Sequence, residues 1–156
     1  MTNSKRLIEV AFPLRQTSVE SVHEKMCHAG HPKALHIWPA RRPLAACRAT
    51  LVTTLLPNPP QLTDRKVILD KLGGRVGQKV KRKKTDTGWA EEIVDETVGG
   101  VLHWGREDSS DLAWLRAKIF EAYDHKAPKV LDPFAGGGAI PLEAMRLGCE
   151  TTAIDI

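Results

Sequence analysis

Cysteine is rare in this chain. Cys27, Cys47 and Cys149 are the only 3 in 156 residues, and no two are spaced Cys-x-x-Cys. That excludes a disulfide framework and a zinc ribbon built from these residues, and it sets an expectation of reduced thiols in the cytoplasm. Cys27, His28, His31 and His36 lie within ten residues but lack the paired spacing of a zinc site, so no metal is expected. Aromatic residues make up only 5%. No apolar run approaches the ~20 residues that a membrane helix needs. Met1–Arg6 is polar with no apolar stretch after it, so no signal peptide is read. There is no internal repeat and no low-complexity segment. Charge is only mildly one-sided: 23 basic against 19 acidic residues give a net +4. Such an excess suits nucleic acid but is common in proteins that never meet it.

What is present is a segment near the C-terminal end that reads as strand, glycine turn, helix, strand. Val130 and Leu131 lead into Asp132 as a buried parallel strand would. Gly136, Gly137 and Gly138 allow positive φ and close approach of a ligand to the backbone. Ile140–Leu147 is helical, with Pro141 tolerated in the first turn and Gly148 at the C-terminal cap. Thr151–Ile154 suits a second strand that ends in Asp155. The pattern predicts the first β-α-β unit of a Rossmann-like sheet, with a nucleotide-like ligand over the turn and the acid on its ribose hydroxyls. A dinucleotide fingerprint is excluded because Gly136 and Gly138 are followed by Pro141. A Walker A loop is excluded because no Gly-Lys-Ser/Thr follows.

Upstream, Thr17-Ser18-Val19-Glu20 predicts a capping box opening a helix over 18–27. Pro43 begins a helix to Leu56, with Leu44, Cys47, Leu51 and Leu55 as its core face and Arg48 on another face. Arg41 and Arg42, beside that helix start, form a candidate phosphate or carboxylate site. The competing reading of Arg41, Arg42 and Arg48 is a solvated, ion-paired face. Pro57–Pro60 breaks the chain, and a third helix runs from Leu62 to Leu72 before Gly73-Gly74. Arg75–Lys84 carries six basic residues and no acid, and reads as a flexible basic loop able to touch phosphates. Residues 91–98 read as helix, 101–104 as an apolar patch, and Ser109 or Ser110 caps a helix to Asp124 with Leu112, Leu115, Ile119 and Ala122 on its inner stripe.

Asp132-Pro133-Phe134-Ala135-Gly136-Gly137-Gly138 resembles motif I of S-adenosylmethionine-dependent amino-methyltransferases that act on DNA bases. Residues 6–15 and 35–48 are similar to the N-terminal domain of unknown function (DUF1156) of large adenine-specific DNA methylases of the zinc-ribbon type. The resemblance implies an α/β fold. A mostly helical N-terminal domain over residues 1–125 would precede the start of a cofactor domain over residues 126–156. It implies S-adenosylmethionine held by Asp132, Pro133, Phe134, Ala135, Gly136, Gly138 and Asp155. It implies DNA as partner of the full-length parent, with His36, Trp38, Arg41, Arg42 and Arg48 as candidate contacts; Lys81, Arg82, Lys83 and Lys84 are candidates from the basic run itself, whose competing reading is a solvated loop. The catalytic Asp/Asn-Pro-Pro-Tyr/Phe motif of such enzymes is absent. Asn58-Pro59-Pro60-Gln61 lacks the aromatic and reads as a helix terminator. The chain is therefore expected to be the N-terminal piece of a larger enzyme, inactive alone. Two alternatives stay open: a nucleic-acid- or partner-binding module, and a methyltransferase acting on RNA or protein.

Overall fold

A computed structural model describes residues 5–26, 42–85, 88–106 and 108–155. Its described elements, in order, are a short 3-10 turn (Leu7–Glu9), α1 (Leu14–Met26), α2 (Leu44–Leu55), α3 (Leu62–Gly73), β1 (Arg75–Thr85), β2 (Gly88–Val98), α4 (Ser110–Ala122), β3 (Lys129–Asp132), α5 (Ala139–Arg146) and β4 (Glu150–Ala153). The fold is mixed α/β, helical at first, with two small two-stranded sheets: β1–β2 antiparallel and β3–β4 parallel.

Helix α2 is the centre of the molecule. Leu44, Ala45, Cys47, Ala49, Val52 and Leu55 are all buried, as expected of a helix apolar nearly all round. Helices α1, α3, α4 and α5 and the 3-10 turn pack on it. One buried cluster joins Val52 and Leu55 to Leu72, Leu102, Leu112, Leu115, Ile119, Ala144 and Leu147. That cluster draws residues from both sides of residue 125. Pro43 precedes α2 and offers no side-chain cap. The cap comes instead from α1: Glu24 Oε2 accepts from the Leu44 amide at 2.8 Å and Oε1 from the Ala45 amide at 2.6 Å. A carboxylate on orphan N–H groups at the positive end of a helix is favourable.

Burial raises the Glu24 carboxyl above its ordinary 4.5, while the two amides it accepts from pull it down. Above pH 4.5 the unfolded chain releases this proton while the folded chain still holds it. The contribution of Glu24 is thus complete below 4.5 and is lost as pH climbs through its raised folded value. Urea unfolding from pH 4.5 to 7 should show the stability of the native chain falling relative to Glu24→Gln. A relative gain across that range would contradict the assignment.

Several elements differ from the sequence reading. Arg75–Lys84 is not a flexible loop, and residues 91–98 are not a helix. They are the two arms of a hairpin, paired from Arg75↔Val98 to Thr85↔Gly88. Ile93, Val94, Thr97 and Val98 are β-branched and favour the pleat. The acids of β2 stand across from the bases of β1: Lys79 meets Glu96 at 3.3 Å, Arg82 meets Glu91 at 3.6 Å and Lys83 meets Glu92 at 3.9 Å. At the hairpin base, Gly74 and Gly100 have φ of 68° and 69° and pass so close that a Cβ on either would strike the other segment's backbone. The predicted capping box is also absent. Helix α1 starts at Leu14, and Thr17, already inside it, donates to the Pro13 carbonyl at 2.8 Å. In α4 the Ser109 cap forms, its side chain accepting from the Leu112 amide, and Leu112, Leu115 and Ile119 are buried. Ala122, the last residue of α4, is exposed.

Candidate functional site

Strand β3 delivers Asp132 to the edge of a tight turn. Asp132 is buried, and its Oδ1 accepts from the Phe134 amide at 3.1 Å. Among the described residues no donor meets its second oxygen. The turn is pinned on both sides to Ile154, the residue after β4: the Ile154 amide donates to the Asp132 carbonyl and the Ala135 amide to the Ile154 carbonyl, each at 2.9 Å. Gly138 then caps α5 in the left-handed conformation, with φ 74°. A Cβ there would meet nothing within 4 Å, so the requirement for glycine is conformational. Pro141 sits in the first turn of α5, and Gly148 follows its end with φ 83°.

The turn and the start of α5 form one wall of a cavity of about 340 Å³. Its lining comprises Asp132, Phe134, Ala135, Gly136, Gly137, Ala139 and Ile140, and Arg42 from the residues just before α2. Pro133, Gly138 and Asp155 are not among the lining residues. Asp155 lies two residues past β4 and is exposed. Phe134 is 77% exposed, a large apolar side chain at the cavity mouth.

The two walls are joined by a buried ionic network. Arg48 of α2 is 1% exposed and Glu143 of α5 fully buried. Arg48 Nε and Nη2 donate to the two Glu143 oxygens at 2.5 and 3.2 Å. Arg48 also donates to the Val101 carbonyl. Arg146 donates to Glu143 at 2.5 Å and stacks over Trp104 at 5.1 Å. Arg48 is therefore not the surface contact for nucleic acid expected from the sequence, because its charge is spent inside the protein. Cys47, one residue earlier, packs with Leu44 and Ala139. Burial first, then the nearby Glu143 and Glu24 carboxylates, pushes its thiol up to about 12, against the opposing pull of Arg42.

Of the other nucleic-acid candidates, Lys81, Arg82, Lys83 and Lys84 lie on β1, exposed. His36, Trp38 and Arg41 lie outside the described residues. Sequence reasoning missed a second cluster. Glu20, 2% exposed, turns Oε2 to His103 Nδ1 at 2.8 Å and to His23 Nδ1 at 3.7 Å. Thr97 donates to its other oxygen. The local signal was Glu20 and His23 at i and i+3, which share one helix face.

Comparison with known families is informative for the first half of the chain. Residues 11–84 match the family model described as Protein of unknown function (DUF1156). This supports the expected N-terminal domain of unknown function. The matched residues take in α1, α2, α3 and most of β1, and so include Arg42, Cys47 and Arg48. The glycine turn and α5 lie beyond them. No curated protein and no solved structure matches the chain. No helix among the described residues is long and apolar enough to cross a membrane.

Proposed function

We propose that this chain carries the cofactor-binding beginning of an S-adenosylmethionine-dependent methyltransferase that modifies the exocyclic amine of adenine in DNA. The observation that carries the reading is the single cavity in which a buried acid, a glycine turn opening a helix, and an arginine of the DUF1156 segment meet. S-adenosylmethionine has an amino-acid tail of both charges. Asp132 suits its ammonium, and the planar guanidinium of Arg42 suits its carboxylate. The turn presents backbone N–H groups at the positive end of α5. Asp155, after β4, suits two ribose hydroxyls, since a carboxylate accepts twice. The cavity volume of about 340 Å³ falls within the roughly 300–1,000 Å³ usual for small-molecule sites.

When bound, the sulfonium supplies an activated methyl group. The residues of this chain hold the tail and orient it. They do not supply the Asp/Asn-Pro-Pro-Tyr/Phe acceptors that grip the target amine of a flipped base. This chain alone is therefore expected to transfer no methyl group to DNA. The test is transfer of a labelled methyl group by the full-length gene product. Label on the adenine amine of DNA, lost in Asp132→Ala, supports the proposal. Label on RNA or protein would keep the cofactor and change the substrate. No cofactor-dependent transfer to any of the three would contradict it.

The hairpin bears on the DNA part. Among the described residues, Lys81 and Lys84 of β1 make no carboxylate contact within 4 Å, unlike Lys79, Arg82 and Lys83, although Lys81 faces Glu92 in the register. If both meet phosphates, replacing them with Gln should reduce the log–log salt slope of DNA binding by about 2, at roughly 0.9 per phosphate. An unchanged slope removes the hairpin from the DNA path.

A further inference from the structure

We infer that Glu20, His23 and His103 form a binding site for a divalent first-row transition-metal ion, one that ties α1 to the segment following β2. The inference is independent of the methyltransferase reading.

Charge is the first argument. Glu20 is 2% exposed, and burying a carboxylate is costly without a compensating cation. Among the described residues no lysine or arginine pairs with it. Its partners are the Thr97 hydroxyl and two imidazoles. A dication at the shared oxygen balances the charge.

Geometry is the second. One ligand atom from each residue lies within 4.8 Å of the others. Metal–ligand bonds of about 2.0–2.2 Å at tetrahedral angles put ligand atoms roughly 3.2–3.6 Å apart. The observed separations from Glu20 Oε2, 2.8 Å to His103 Nδ1 and 3.7 Å to His23 Nδ1, straddle that range. The rings stand edge to face, 86° apart with centroids at 6.3 Å, so both can turn a nitrogen toward one point. The ligand arrangement is also supported from behind. Thr97 holds Oε1, which fixes the carboxylate and leaves Oε2 facing the imidazoles. Entry is open, since His103 is exposed and His23 lines a cavity of about 580 Å³ between α1 and the hairpin. In the tautomer that carries its hydrogen on Nε2, His103 presents a bare Nδ1 to the ion. Two imidazoles and one carboxylate suit zinc, cobalt, nickel, copper or ferrous iron rather than calcium or magnesium.

The test uses the whole chain, freed of metal by chelation and titrated with Zn²⁺ and with Co²⁺, whose d–d absorption reports its ligands. One ion per chain is expected, with a raised Tm. His103→Ala is the decisive variant, because its half-exposed side chain can be removed without opening the core. It should weaken Zn²⁺ binding by more than about a hundred-fold, beyond what the loss of a supporting partner costs, and abolish the Tm response. His23→Ala should do the same with circular dichroism unchanged. Absence of binding by the native chain overturns the inference, because Glu20 and His103 would then share only a hydrogen bond. So does binding that is indifferent to His103→Ala, which would place the ion on other donors such as Cys27 and His28.

Discussion

Replacing Glu143 with Leu should cost about 3–5 kcal/mol of stability, the range for breaking a buried ion pair from one side. Both charges lie inside the protein, Arg48 at 1% exposure and Glu143 at 0%, so water screens neither. The pair is bidentate, at 2.5 and 3.2 Å, and Arg146 adds a further donor to the same carboxylate. In this setting the desolvation cost and the Coulomb gain are both large and nearly cancel. Removing one partner leaves the cost without the gain. Removing both does not, so Arg48→Met with Glu143→Leu should be more stable than Glu143→Leu alone. Urea unfolding of the two single variants and the double gives the coupling directly. A single-variant loss below ~1 kcal/mol, typical of exposed pairs, would mean that the network is not buried in solution. The pair also has a functional consequence. It clamps α2, which positions Arg42, against α5, which follows the glycine turn, so its loss should loosen the candidate cofactor cavity.

The second large effect concerns the cofactor. A hydrogen bond to a charged group contributes about 1.5–3 kcal/mol. At about 1.4 kcal/mol per tenfold, Asp155→Ala and Arg42→Met should each weaken S-adenosylmethionine binding roughly ten- to a hundred-fold. The two act on opposite ends of the ligand, the ribose and the carboxylate, so their effects should add. Both side chains are exposed, and neither loss should unfold the protein. Calorimetry on the full-length gene product measures this, since a two-stranded parallel sheet covers little of its own surface. Unchanged affinity in both variants would remove the cofactor from this cavity.

The chain path of the β-α-β unit was legible in the sequence because every signal in it is local, although Leu131, read as part of a buried strand, is 61% exposed on a sheet of two strands. An apolar pair, three glycines, a helical run with Pro141 in its first turn, and Gly148 at its end all lie within thirty residues. The helices α2 and α3 were legible for the same reason. The hairpin was not, because a run of bases looks like a solvated loop until the acids that face it are known. That matching is set by register, as in Arg82↔Glu91, rather than by composition. Glu20 was assigned to a capping box since the spacing from Thr17 fits one, but its partners Thr97 and His103 lie 77 and 83 residues away. Arg48 looked like a surface cation for a like reason, its partner Glu143 being 95 residues distant. Long-range polar pairs leave no trace in sequence spacing. Arg42 was seen as an anion site, yet its place on the same cavity as Asp132 depends on how α2 packs against α5.

The central proposal is that the turn after β3 binds S-adenosylmethionine with help from Arg42, which lies just before α2. The most direct measurement is an amide-resolved NMR titration of this chain with the cofactor, which registers weak binding that calorimetry misses. The account predicts shifts concentrated at Phe134, Ala135, Gly136, Gly137 and Gly138, together with Arg42. No shift at millimolar cofactor, or shifts that leave the turn untouched, would contradict it.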